Sequence, residues 1–119
     1  MVRFLCLGYM DAGRFDAVPQ VEKEALLAEC FAQCLPFRET GKVILEEGVG
    51  HFSDTKCIRP LGGLPVVSQG SFIPSEFQLG SVFIIEADSM EEAIEVASLH
   101  PAARLGEEYG FGIEIRPLQ

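Results

Sequence analysis

Neither of the two histidines stands at zinc-ligand spacing from the four cysteines, and no C-x-x-C pair occurs. Structural zinc sites draw on such clustered donors, so the spacing marks no metal centre. Basic residues are scarce, with nine Lys and Arg against 18 Asp and Glu and a formal net charge of -9. A surface of that sign repels phosphate backbones, which argues against nucleic acid as a ligand. No apolar run approaches the roughly 20 residues of a membrane-spanning helix, so no membrane partner is expected. Arg3 precedes only a short apolar run and then Gly8-Tyr9-Met10-Asp11, without a small-residue cleavage site. A cytoplasmic location is therefore expected. Gly48-x-Gly50 lacks the strand–loop–helix setting of a phosphate cradle, and Ser71 has no G-x-S-x-G elbow around it. No resident cofactor is expected. Repeats, linkers and low-complexity segments are also missing, so residues 1–119 read as one domain.

What is present is apolar for so short a chain: 48% hydrophobic residues and a mean hydropathy of +0.23. Small domains have much surface for their volume, so part of that apolar area should meet a partner. The thiols Cys6, Cys30, Cys34 and Cys57 fall in strand-like or helix-like apolar patterns, the usual setting of reduced, buried cysteine. Cys30 and Cys34 lie four apart on one helical stripe, where their side chains run parallel and meet disulfide geometry poorly.

Residues 69–104 organise the rest. The run Val82-Phe83-Ile84-Ile85 reads as a buried strand. Ser89-Met90-Glu91-Glu92 then has capping-box spacing, and the helix it opens stops near His100 because Pro101 cannot continue it. Upstream, residues 2–7 alternate as a strand with both faces apolar. Residues 8–16 read as a polar connection, and a long helix starts near Pro19. Pro36 predicts a kink or early end of that helix, and Gly41 a terminator. Residues 42–47 form a second strand. Residues 55–59 and 64–68 form a hairpin about Pro60-Leu61-Gly62-Gly63, and residues 111–116 a last strand.

This order, β-α-β, an added hairpin, then β-α-β, predicts an α+β ferredoxin-like sandwich with both helices on one sheet face. The other face would carry Leu5, Leu7, Val82 and Ile84. At about 25 cal/mol per Å² of apolar area, leaving it wet would forfeit several kcal/mol. A homodimer that stacks two sheets is the simplest remedy.

Gln69-Gly70-Ser71-Phe72, Gln78-Leu79-Gly80, Phe83-Ile84-Ile85-Glu86-Ala87-Asp88 and Glu91-Glu92-Ala93 together resemble the DGPF family of the YCII-related superfamily. His100-Pro101-Ala102-Ala103-Arg104 and Ile113-Glu114-Ile115-Arg116-Pro117 resemble it too. The resemblance implies a dimeric α+β-barrel of ferredoxin-like subunits. The family's Asp-Gly-Pro-Phe motif is altered here, with Gln69 for the Asp and Ser71 for the Pro, so Gly70 and Phe72 alone carry over.

His100 is the candidate acid–base group, because histidine titrates near neutrality. At a helix C-terminus it would also complement the dipole, which predicts a modestly raised pKa. Tyr9, at the end of the first strand, and Asp88, beside the helix start, are candidate neighbours. With Gln69, Gly70, Ser71, Phe72 and Arg104 they make up the expected pocket. His51 reads as a loop residue. Two functions fit: a homodimer binding a small apolar or aromatic molecule without catalysis, or a cofactor-free isomerase or lyase using His100.

Overall fold

The computed structural model describes all 119 residues. The first strand, β1, runs Val2–Asp11 and leads directly into a short helix α1, Ala12–Asp16. The long helix α2 spans Gln20–Arg38 and strand β2 spans Val43–Gly48. Strands β3, Lys56–Leu61, and β4, Leu64–Gln69, form a separate two-stranded hairpin. Strand β5, Phe77–Ala87, is followed by helix α3, Met90–Ala97, and strand β6, Gly112–Pro117, closes the chain. No helix is long and apolar enough to cross a membrane.

The main sheet has the order β2-β5-β1-β6, and all neighbouring pairs are antiparallel. Helix α2 connects β1 to β2, and α3 connects β5 to β6. This is the α+β ferredoxin-like arrangement that the element order predicts. Alternation along the central strands sends Phe4 and Cys6 of β1 and Phe83, Ile85 and Ala87 of β5 to one face. There they meet Phe37 of α2 and Ala93, Val96 and Ala97 of α3 in one core. Small residues on α3 let that helix lie close to the sheet.

Helix α2 docks by one end. Only Cys34 and Phe37 are buried, while Val21, Phe31 and Leu35 are exposed. Of the kink or early end expected at Pro36, the early end does not occur: the helix continues to Arg38. Phe37, fully buried beside the proline, anchors the last turn, and the Glu39 amide still reaches the Leu35 carbonyl at 2.9 Å. Tertiary packing there outweighs the missing proline donor. Gly41 terminates the segment with φ of 71°.

Two boundaries differ from the sequence reading. Residues 8–11 continue β1, since tertiary pairing of Tyr9 with Leu79 and Gly112 extends the strand past its glycine. The hairpin closes on Gly62-Gly63 alone, both at positive φ, with Leu61 opposite Leu64. Two consecutive positive-φ residues suit a tight turn matched to strand twist. At α3 the Ser89 hydroxyl accepts from the Glu92 amide at 3.2 Å, while the Glu92 carboxylate pairs with Lys42 Nζ at 2.7 Å. That ion pair ties the helix start to β2.

The sheet face away from the helices carries Leu5, Leu7, Val82 and Ile84, partly covered only by their own neighbours. The molecule is flat, 47 × 41 × 18 Å, with apolar side chains exposed along α2 and the hairpin.

Phe37 lies edge-on to Phe83 at 5.0 Å between ring centroids and joins α2 to the sheet. Replacing it with Ala should cost about 3–5 kcal/mol, the usual loss for a buried aromatic. Urea denaturation of Phe37→Ala measures this. A loss below about 1 kcal/mol would mean that α2 is not held by this contact.

Candidate functional site

The pairing register explains why a cavity opens beside the core. On the helix-facing side, Glu46 of β2, Phe83 of β5, Cys6 of β1 and Ile115 of β6 lie in one row across the sheet. Phe83 and Cys6 fill their places completely. Two residues along each strand on the same face, the next row is Gly48, Ser81, Gly8 and Ile113. Three of its four members have almost no side chain, so nothing rises from the sheet to meet α2. A Cβ on Gly8 would collide with Ser81 Oγ. The result is a cavity of about 520 Å³ floored by Gly8, Gly48, Gly80 and Ser81. Its walls include Tyr9, Phe15, Leu27, Phe31 and Phe111, with Cys30, Cys34, Arg38, Glu46 and His100 at the core end.

Two of the charged groups in this cavity, Arg38 and Glu46, are committed to each other. Arg38 donates to Glu46 through Nε at 2.9 Å and Nη2 at 3.1 Å, a two-pronged pairing of the α2 end with β2. Cys34 Sγ donates to Glu46 Oε1 at 3.5 Å. The guanidinium holds the Glu46 carboxyl below its usual range, so it is ionised at neutral pH. Burial, with Glu46 adding to it, pushes the Cys34 thiol up to about 11. That sulfur is a protonated donor at neutral pH, unsuited to act as a nucleophile.

His100 is buried, and its seat corrects the expectation built on the helix end. Helix α3 ends at Ala97 with Ser98 as its cap, and His100 instead opens the next 3-10 turn, Pro101–Ala103. Its Nδ1 accepts from the Ala102 amide at 3.0 Å. The ring stacks on Phe83 with centroids 4.5 Å apart and planes 14° from parallel, and stands edge-on to Phe37 at 5.0 Å. Packed against two phenyl rings, a charged imidazole loses hydration. The pKa is therefore lowered, with burial the largest cause, Glu46 opposing it and Arg38 adding to it. A raised value does not hold, because a dipole effect at an exposed terminus is outweighed by desolvation.

The backbone bond also sets the tautomer. An amide N–H can only donate, so Nδ1 must hold a lone pair and the neutral ring carries its proton on Nε2. Nε2–H has no hydrogen-bond partner in the protein, yet it is not a sealed atom, so it opens onto the cavity. A general base needs a free lone pair, and this ring presents a donor instead.

Cys34, Glu46 and His100 bring one ligand-type atom each within 4.8 Å of one another. Their free electron pairs are spent, however. Glu46 is doubly engaged by Arg38, Cys34 is protonated, and Nδ1 of His100 is bonded to backbone. The cluster as folded is a hydrogen-bonding group rather than a cation cage.

Tyr9 lines this cavity and also a neighbouring hollow of about 580 Å³, whose walls include Ser71, Phe72, Phe77 and Gln78. The expected pocket is thus divided. His100 faces one hollow and the Ser71–Phe72 loop faces the other, with Tyr9 and Val49 between them. Gln69 ends β4 opposite Lys56, and Gly70 takes a φ of 91° with its carbonyl accepting from Cys57 Sγ at 2.8 Å. Asp88 precedes the Ser89 cap and Arg104 closes the 3-10 turn, and neither lines the two hollows. His51 is a surface residue whose Nε2 lies 3.1 Å from Asp16. Arg38, Cys34 and Glu46 were not marked by the sequence reading. The available signal was parity: Glu46 shares its strand face with Gly48, so a carboxylate falls on the side that packs against α2.

Against known families, the YCII-related domain matches residues 2–111. The chain belongs to the YCII-related family. No curated protein matches it.

The lowered His100 pKa has a defined consequence. Below the ordinary value of about 6.5 the unfolded chain takes up a proton that the folded protein does not. The stabilisation is complete above that pH and is lost as pH falls through the folded value, with a slope of at most about 1.4 kcal/mol per pH unit. Denaturant titrations between pH 7.5 and 5 should show this decline, and His100→Asn, which keeps a cap acceptor, should flatten it. An equal decline in both proteins would assign it to another group.

Proposed function

We propose that the chain acts as a homodimer that holds a small apolar or aromatic molecule in the cavity beside His100 without changing it chemically. The observation that carries this reading is the aromatic-walled hollow of about 520 Å³ over the Gly48–Ser81–Gly8 row. Binding sites for small molecules are mostly apolar concavities of this size with few polar groups to fix orientation. Within the YCII-related family, the likeness of Gln69-Gly70-Ser71-Phe72 to Asp-Gly-Pro-Phe supports a DGPF-like reading, and a cytoplasmic location is part of this proposal.

The dimer is supported by the apolar sheet face away from the helices, where Leu5, Leu7, Val82 and Ile84 are only half-buried. It is supported also by exposed Phe31, Leu35, Ile58, Val67 and Phe72 on α2, the hairpin and the following loop. A second copy brought up by a two-fold axis buries the same patch twice.

The alternative, an isomerase or lyase with His100 as general acid or base, draws on Glu46 lying within 4.8 Å of the ring cluster. The engaged Nδ1 weighs against it.

Two measurements test the proposal. Sedimentation at micromolar concentration should give a dimer, and Leu5→Glu or Val82→Glu a folded monomer; a wild-type monomer overturns the dimer. Calorimetric titration with small neutral aromatics should show saturable binding, reduced by Gly8→Val, whose side chain would intrude on the cavity floor. If no member of such a panel binds, the ligand-holding role fails.

A further inference from the structure

Tyr9, Glu47, Ser81 and His100 each bring to the cavity a polar side-chain atom without a protein partner, and of these four residues only His100 is buried. Arg38, Glu46 and Cys34 satisfy one another. His100 is only 7% exposed, its Nδ1 is occupied by backbone, one face is stacked on Phe83, and Phe37 stands edge-on beside the pair. What remains is the Nε2–H edge. That edge reaches the cavity rather than bulk solvent, and an acceptor carried in by a ligand satisfies it there.

Charge decides what sort of acceptor. Arg38 is already neutralised by Glu46, and the same cavity is lined by Glu47, so the lining carries an excess negative charge on a chain of net charge -9. An anionic carboxylate would enter against that field and would find no free cation. The neutral imidazole supplies a dipole rather than a charge. A neutral oxygen acceptor fits both conditions.

Resting on the ligand-holding role above, we infer that the cavity takes a neutral ring compound bearing a ketone or aldehyde oxygen, and that the Nε2–H of His100 donates to that oxygen. The ring lies among Tyr9, Phe15, Phe31 and Phe111, and the carbonyl points toward the core end. Fixed tautomer and fixed ring plane make His100 a selective donor. Its stacking on Phe83 prevents it from turning to suit a ligand without an acceptor in the right place.

The test uses acetophenone and ethylbenzene, which differ by a carbonyl against a methylene, and benzoate as the anionic counterpart. Affinities are measured for the wild-type protein and for His100→Asn. Asparagine can still accept from the Ala102 amide, but its side chain is too short to place a donor where Nε2–H stands. The acetophenone-to-ethylbenzene affinity ratio should fall by about two- to tenfold in the variant, the worth of one neutral hydrogen bond. Benzoate should bind more weakly than acetophenone to the wild type. The infrared carbonyl band of bound acetophenone should shift to lower frequency in the wild type and not in the variant. The band in the wild type alone decides the matter if His100→Asn does not fold. An unshifted wild-type band, a ratio unchanged by the substitution, or tighter binding of benzoate would overturn the inference while leaving the cavity a binding site. Failure of both neutral compounds to bind would overturn the ligand-holding role as well.

Discussion

The contact on which the rest depends is the cluster of His100, Phe83 and Phe37, whose three rings touch one another. Phe83 belongs to the sheet, Phe37 to the last turn of α2, and His100 to the segment after α3, so three separate parts of the chain meet in one aromatic group. An imidazole in that position must be neutral to avoid a heavy desolvation cost, and it must satisfy at least one nitrogen. The Ala102 amide does so and thereby fixes which nitrogen carries the proton. Packing, protonation state and tautomer therefore follow from one burial event. Arg38 adds to this, since it occupies the nearby Glu46 carboxylate and itself lowers the His100 pKa.

The cavity depends on the opposite feature, an absence of side chains. The row Glu46–Phe83–Cys6 is filled, and the next row along the same strands, Gly48–Ser81–Gly8, is nearly bare. Close-packed interiors ordinarily tolerate few voids larger than a water molecule, because lining atoms lose their dispersion partners. The hollow here is open to solvent on one side, with exposed Leu27 and Phe31 on its rim, so it is a groove beside the nine-residue core and not a void within it.

Much of the fold was legible because its signals are local. The β5–α3 unit announces itself through a continuous apolar run, a serine cap at the right spacing and a proline beyond the helix. Topology followed from element order. The site was less legible because its determinants are tertiary. The extension of β1 past Gly8 and the passage of α2 through Pro36 are both decided by pairing or packing with distant residues. His100 was legible as a candidate by residue type, but the sign of its pKa shift was not. Helix-end position is visible in sequence and burial against two aromatic rings is not, and here the second effect is the larger. Glu46 was overlooked for a related reason: Glu46-Glu47 on a short strand looks like a solvated face until the register shows which of the two points at α2.

Charge adds a last constraint on how such a chain could pair with itself. Two bodies of net charge -9 repel, and apolar area alone does not remove that cost. The hairpin departs from the rest of the chain in this respect. Residues 56–69 contain Lys56 and Arg59 and none of the 18 acidic residues, together with exposed Ile58, Leu61, Leu64, Val66 and Val67. It is a cationic, apolar arm standing apart from an acidic body, with Arg59 held over the Phe72 ring at 4.5 Å and its Nη2 donating to the Phe72 carbonyl. Helix α2 offers the complement, with exposed Glu22, Glu24 and Glu29 accompanying exposed Val21. In the proposed dimer, an arm of this composition is the part of the molecule that can approach an acidic partner without electrostatic penalty. The open sheet face would supply apolar area, and the hairpin the charge balance that lets the two faces approach.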